Sequence, residues 1–386
     1  MSNYIPLSVP HLSGNEWKYV KDCLDTNWVS STGKYVNLFE KKIEKYTKAK
    51  YAIACINGTS ALHISLILSG ISRNDEVIVP TVSFIAPINA INYCSAKPIF
   101  MDIDDNYTLD IKKTIEFLNL KTIFKNGITI NKKTKRKISA IIVVHVYGRS
   151  VMLDKLSKVC KKKNISIIED SAEGLGNFFK NGLNKNKHVG TVGKFGCLSF
   201  NGNKLITSGG GGMIMTNNKS LAKKAKYLTT TAKDDAIEFV HNEVGYNYRL
   251  TNIQAALGLA QLEKINQYLK SKKLIYLQYK KLISENKKLN FKEIPNYASS
   301  NYWLNLVEFK NISKKSTLLK KINLLKKNQI EVRPIWQLNH LQKKYKNCEK
   351  YKISNALSLI NKTLCLPSSI SLTKEDIKRV VSTINE

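Results

Sequence analysis

Carboxylates are scarce in this chain. Its 386 residues carry 29 Asp and Glu against 62 Lys and Arg, a formal net charge of +33. Such an excess raises the question of nucleic acid. The basic residues are scattered, however, with short clusters at 131–137 (NKKTKRK), 161–163 (KKK) and 314–327 (KKSTLLKKINLLKK). No recognition-helix, RNP or zinc-finger pattern accompanies them. The last cluster sets Leu and Ile between lysine pairs and reads as an amphipathic helix with a solvated basic face. The joint excess of Ile, Asn and Lys is read as coding bias, and no nucleic-acid partner is expected. An anionic small substrate, such as a nucleotide, would use the same field.

Other absences narrow the class. Seven cysteines (Cys23, Cys55, Cys94, Cys160, Cys197, Cys348, Cys365) form no CxxC pair and mostly sit in apolar segments. That fits buried reduced thiols and excludes a disulfide frame. The six histidines show no HExxH or other close ligand spacing, so no metal is expected. The richest apolar run, SAIIVVHVYG (139–148), is far short of the roughly 18 residues of a membrane-spanning helix. The N-terminus has no basic region followed by an apolar run. A cytoplasmic protein without a membrane partner is the expectation. With 43% hydrophobic and 24% charged residues, the mixture is that of a globular protein with one large core or two unequal ones.

What is present is an alternation. YAIAC (51–55), EVIVP (76–80), KPIFMDI (97–103), ISAIIVVHV (138–146) and ISIIED (165–170) read as buried strands. Between them, helices are expected over 57–70, 84–94 and 153–163, the last with Leu153, Leu156 and Cys160 aligned. FGCLSF (195–200) and GGMIMT (211–216) add two more strands. Short apolar runs alternating with helices imply a mostly parallel sheet covered on both faces. Ser13-x-x-Glu16 predicts a capping box opening a helix with Trp17, Val20 and Leu24 on one side, and Thr251-x-x-Gln254 predicts a second. The segment 124–137 interrupts the rhythm as a polar hairpin insertion. From about 266 the pattern changes: a lysine-rich helix to about 287, a strand at 303–309 and a helix at 318–328. The expected division is a large α/β domain, 1–265, with an N-terminal arm, and a small α+β domain, 266–386.

Four places lie where such sheets put ligands, beyond the carboxyl ends of strands. Asn57-Gly58-Thr59-Ser60 opens a helix; Gly58 allows a tight turn, and free N–H groups and hydroxyls suit a phosphate, although an ordinary helix cap has the same residues. Glu169-Asp170 ends an apolar strand, where a carboxylate needs a partner or a cation such as a protonated pyridine nitrogen, or serves as a structural cap. Lys204, in SFNGNK (199–204), stands alone among small and amide residues before the Gly209–Gly212 run, as a desolvated Schiff-base nucleophile would. Phe84 follows a strand end and can stack on a ring or fill the core. Phosphate cradle, buried Asp, aromatic and lone Lys, in that set, are what pyridoxal phosphate requires.

The sequence resembles the DegT/DnrJ/StrS-type family of nucleotide-sugar aminotransferases. The resemblance runs over nearly the whole chain, through NGTSALH, EVIVPTVSFIAPINAI, HVYG, IIEDSAEGLG, SFNGNK followed by GGGG, GYNYRLTNIQAALGLAQL and RPIWQLNHLQ. It implies an aspartate-aminotransferase-like fold of type I, pyridoxal 5′-phosphate as cofactor with pyridoxamine phosphate as intermediate, and L-glutamate as donor. SFNGNK, LSVPHLSGNEW and the insertion look most like the branch acting at C4 of nucleotide-linked 4-keto-6-deoxy-N-acetylhexosamines, the branch of bacillosamine and legionaminic acid synthesis. By resemblance, Lys204 bonds the cofactor and carries the proton, and Asp170 partners the pyridine nitrogen. Gly58, Thr59, Ser60 and Ser199 hold the phosphate, Phe84 covers the ring, and Asn201 is a further contact. Glu173 falls near the phenolic oxygen, where relatives often have Gln or His. Asn247 reaches the phosphate of a neighbouring subunit, implying a homodimer with shared sites. Trp28, Arg333, Trp336 and His340 would contact the substrate, with a structural role for Trp336 equally open. Two alternatives stand beside this reading. A sugar dehydratase would carry His where this chain has Lys204, and a regulatory or nucleic-acid-binding protein would reuse the scaffold without catalysis.

Overall fold

Runs such as EVIVP and ISAIIVV offer apolar side chains to both faces, so they are stable only as strands between two helical layers. The computed structural model of the chain describes residues 4–235 and 237–386. Its first half holds strands β1 (Tyr51–Cys55), β2 (Glu76–Pro80), β3 (Lys97–Met101), β4 (Thr122–Lys125), β5 (Ile128–Asn131), β6 (Ile138–Val144), β7 (Ser166–Asp170), β8 (Phe195–Ser199) and β9 (Gly212–Thr216). The accompanying helices are α1 (Glu16–Asp25), α2 (Lys34–Thr47), α3 (Gly58–Leu68), α4 (Ala86–Tyr93), α5 (Ile111–Leu120), α6 (Asp154–Lys162), α7 (Lys219–Thr229) and α8 (Asn252–Glu263). The second half adds α9 (Ile265–Ser284), β10 (Leu289–Phe291), β11 (Asn305–Phe309), α10 (Lys315–Lys327), β12 (Arg333–Pro334), β13 (Lys350–Tyr351), α11 (Asn355–Leu359), β14 (Thr363–Leu366) and α12 (Lys374–Asn385).

The large sheet has the order β1-β9-β8-β7-β6-β2-β3-β13. Only β9 runs against its neighbours, and every other pairing is parallel. The expected mostly parallel sheet is therefore observed. Ile53, Val79, Ile142 and Ile168 point to one apolar layer, while Ile78, Ile141, Val143 and Ile167 point to the other. A smaller antiparallel sheet, β10-β11-β14-β12, packs with α9, α10 and α12 around Tyr279, Val307, Leu325 and Val380. We propose the division at 265/266 from the end of α8 and the separate second sheet. Ile5 of the N-terminal arm, however, is buried in the core of the smaller sheet and bridges to Ile330. Among the described residues, no helix is long and apolar enough to cross a membrane.

Two local expectations need correction. Ser13 does not cap α1: the N-cap is Asn15, without a side-chain bond, and Glu16 accepts hydrogen bonds from Gly14 N (2.6 Å) and Gln261 Nε2 (2.6 Å). Glu16 and Cys23 thus face inward, and Trp17 (82% exposed) and Leu24 face outward. The recruitment of Glu16 by a glutamine 245 residues away overrides the local pattern. The insertion does form a hairpin, β4–β5, turning at Asn126 and Gly127 with positive φ at both, as a two-residue turn requires. It is less polar than expected, because Ile123, Phe124 and Ile128 are exposed. The Thr251–Gln254 capping box is present at the start of α8.

One buried carboxylate ties the second half back to the large sheet. Asp102, just past β3, accepts from Lys113 Nζ (2.5 Å) and from the N–H groups of Ser354, Asn355 and Ala356 (2.9 Å each), which open α11. Burial pushes its carboxyl up, but the Lys113 bond and the three N–H donors outweigh this and hold it below the usual range. A depressed folded pKa contributes stability above the unfolded value, and that stability is lost as pH falls through the folded one. Asp102→Asn is expected to lower unfolding stability by about 2–4 kcal/mol at pH 7. Thermal unfolding at decreasing pH should show the variant and the parent converging below about pH 4.

Candidate active site

The chamber is built where β7 ends. A strand turns successive side chains to opposite faces, so the adjacent Glu169 and Asp170 meet different surroundings. Glu169 is fully buried and saturated: His145 Nε2 lies 3.0 Å away, and Gly190 N (2.8 Å), Val192 N (2.8 Å) and Gly193 N (2.6 Å) donate to it. Because His145 Nδ1 accepts from Val151 N, the ring proton sits on Nε2 and points at Glu169. Burial alone would raise this carboxyl, but His145 and the N–H donors hold it below the usual range. Asp170 has a single N–H donor, Ala172 (3.1 Å), and burial pushes it up to about 6. Of the two carboxylates, Asp170 is the one still short of a positive partner.

The start of α3 lines the same chamber. Asn57 Oδ1 accepts from Ser60 N (2.8 Å), which caps the helix and leaves the earlier N–H groups without intrahelical acceptors. They and the positive end of the helix dipole favour an anion. Gly58 permits the close approach of this turn to β8: a Cβ there would stand 3.0 Å from Ser199 Cβ and 3.3 Å from Leu198 O.

Lys204 follows β8 through the turn 200–203. Its Nζ donates to Glu173 Oε1 (3.1 Å) and lies 4.3 Å from the ring centroid of Trp303. Trp303 is buried, and its Nε1 donates to the carbonyl of Asn203 (2.7 Å), fixing the peptide before Lys204. The other oxygen of Glu173 accepts from Tyr147 N (2.7 Å). Asp170, Glu173, Lys204, Gly58 and Thr59 all line one chamber of about 330 Å³, together with Ser199, Asn201, Phe84 and Trp336. Next to it, an outer chamber of about 620 Å³ shares Phe84, Trp303 and Trp336 with the first and adds Arg333.

These residues fit pyridoxal phosphate. A helix start cleared by glycine faces the chamber at one end, a carboxylate with unmet charge stands in its wall, and an amine shares the same space. The remaining expected residues lie elsewhere. Ser60 is buried behind the cradle, its N–H committed to Asn57. Trp28 is exposed and does not line the chambers, and Asn247 is exposed, its side chain accepting from Arg249 Nε (3.1 Å). Arg333 is held by Glu331 (2.8 Å) at the rim. His340 is buried, with Nδ1 2.7 Å from Thr81 Oγ1, and lines neither chamber. Sequence reasoning missed Trp303 and Tyr147. The only cue to Trp303 was a tryptophan opening the strand-like WLNLVEF, 99 residues from the lysine it supports.

Known proteins resemble this chain in sequence and fold. A GDP-perosamine synthase of Escherichia coli O157:H7 is 36% identical over 384 residues, covering 99% of this chain and 98% of its own. The solved structure of Helicobacter pylori PseC, an aminotransferase of pseudoaminic acid biosynthesis, superposes with a TM-score of 0.87 at 24% identity, over 99% of this chain and 98% of the other. Spr1654 of Streptococcus pneumoniae, solved in a PLP-form, gives 0.86 at 22% identity over 99% and 97%. With the family model matching residues 10–385, the chain belongs to the DegT/DnrJ/EryC1/StrS aminotransferase family.

Proposed function

We propose that this aminotransferase moves the amino group of L-glutamate to C4 of a nucleotide-linked 4-keto-6-deoxy sugar, an N-acetylhexosamine by the resemblance of its SFNGNK and LSVPHLSGNEW segments, and that it works as a homodimer with shared sites. The observation that carries the reading is one chamber holding an under-compensated buried carboxylate, Asp170, and a lysine, Lys204, beside a glycine-cleared helix start. The name of the E. coli relative gives a GDP-linked product for that protein, so GDP- and UDP-linked acceptors both belong in the test.

Pyridoxal 5′-phosphate, when bound, supplies an electron sink for the carbanion at the carbon bearing the transferred nitrogen. Gly58, Thr59 and Ser199 hold its phosphate at the helix start, and Asp170 keeps a proton on its ring nitrogen. Among the described residues Lys204 is the one side-chain amine lining the chamber, so its Nζ takes the proton from the glutamate α-carbon in the first stage and returns one at sugar C4 in the second. Glu173, 3.1 Å away, orients that amine between stages. Phe84 and Trp336 close the outer side against water, and the adjoining chamber has room for the nucleotide. Asn247 stands outside its own chamber, which supports a role toward a neighbouring subunit.

Lys204→Ala should abolish amino transfer to a panel of GDP- and UDP-4-keto-6-deoxy sugars, followed by NMR of the product. Retained turnover would sink the assignment. For Asp170 the sign is opposite to that of Asp102. Its folded pKa is raised to about 6 from 3.8, so its stabilisation is complete below pH 4 and lost as pH rises through 6. Cofactor-free Asp170→Asn protein should therefore be more stable than the parent at pH 7.5, by about 2–3 kcal/mol, and not at pH 4. Calorimetry with and without cofactor should also show that the variant has lost cofactor affinity. For the shared site, mixing inactive Lys204→Ala subunits with inactive Asn247→Asp subunits should restore activity at one of the two sites of the hybrid. No complementation after verified subunit exchange would place Asn247 in its own chain's service.

A further inference from the structure

Tyr147 is a fully buried residue in a backbone conformation that aromatic residues rarely adopt, with φ of +56°. Its neighbour Gly148 also has positive φ, and a Cβ there would fall 2.3 Å from Asn301 Oδ1 and 2.9 Å from Trp303 N. The turn is thus locked against the segment carrying Trp303. In this conformation Tyr147 makes two bonds in different directions. Its N–H donates to Glu173 Oε2 (2.7 Å), the carboxylate whose other oxygen receives Lys204. Its hydroxyl accepts from the backbone N–H of Trp336 (2.9 Å), and the two rings meet edge to face at 5.0 Å.

Trp336 lines both chambers, and its indole N–H is buried with no acceptor among the described residues. A buried donor without a partner is costly, and a ligand oxygen is the partner such a site lacks. Of the two substrates in the proposed reaction, the nucleotide-linked sugar is the larger, and it is the one that would need the outer chamber that Trp336 shares. We propose that Tyr147 is a positioning residue for the acceptor stage: its hydroxyl fixes the Trp336 backbone so that the indole N–H is presented to an oxygen of the nucleotide-linked sugar, while its N–H holds Glu173 in both stages. The proposal rests on the nucleotide-sugar reading above.

Tyr147→Phe removes the hydroxyl and keeps both ring and N–H. In the holoenzyme, KM for the nucleotide-linked 4-keto sugar should rise about tenfold. The rate at which glutamate alone changes the absorbance of the bound cofactor, and the pH midpoint of that absorbance, should stay as in the parent. Trp336→Phe keeps the backbone N–H, loses the indole donor, and should raise the same KM to a similar degree. The double variant should be no worse than either single one, because both remove one interaction. Should Tyr147→Phe fail to fold, Trp336→Phe carries the test, and an unchanged KM for the nucleotide-linked sugar in that variant would overturn the proposal. Equal slowing of both stages, a moved absorbance midpoint, or additive losses would overturn the proposal. A parent enzyme that reacts with glutamate but with none of the GDP- or UDP-linked sugars would instead overturn the acceptor reading, and the proposal with it.

Discussion

A carboxylate at the end of an apolar strand has to be compensated, and this site is organised by how unequally two neighbours meet that demand. Glu169 has a histidine and three backbone N–H donors, all within 3.0 Å. Asp170, one residue on and facing the other way, has one N–H. The first can remain charged without help, whereas the second is held near pH 6 and has spare capacity for a cation. Strand alternation thus gives β7 one anion fully satisfied by the fold and one with spare capacity. The helix start at Gly58 does the converse, offering unmet donors that suit an anion in the same chamber.

The amine side of the site depends on contacts that cross between the two sheets. Trp303 leads into β11 of the smaller sheet, yet its ring lies against Lys204 and its indole N–H holds Asn203. Its own carbonyl accepts from Lys272 Nζ (2.8 Å), which also donates to the carbonyl of Ser368. Lys272 is buried and donates to carbonyls rather than to a carboxylate among the described residues, and burial pushes it down to about 7. Helix α9, the Trp303 segment and the turn after β14 are pinned by this one amine. The geometry at Lys204 is therefore set from both sheets rather than from the strand that precedes it.

The strands and the helix start at Gly58 were legible because their determinants are local. Apolar runs of five to seven residues flanked by turn residues declare buried strands, and Asn57-Gly58 declares a helix start. Thr251 and Gln254 cap as their spacing predicts, since nothing distant competes for them. Ser13 and Glu16 have the same spacing and do not cap, since Gln261 takes Glu16. Trp303 and Tyr147 were not legible as site residues. One is placed by a long-range packing contact, and the other acts through a left-handed backbone for which its sequence carries no glycine-like cue. His340 shows the reverse case: it sits in the motif that implied substrate contact, but it is buried against Thr81 and lines neither chamber.

The hairpin β4–β5 is a separate two-stranded sheet, and it leaves the outer edge of β4 without a strand partner among the described residues. With Ile123 and Phe124 exposed on it, this edge is a template on which a second molecule can add a strand. Lys121, Lys125, Lys132 and Lys133 flank that template, and the chain as a whole repels its copies with a net charge of +33. Lysines placed beside an open strand edge disfavour the addition of a further strand there. Their protection is electrostatic, reaching about 8 Å at physiological ionic strength and only about 3 Å in molar salt. The exposure of this edge to strand addition is consequently tied to ionic strength.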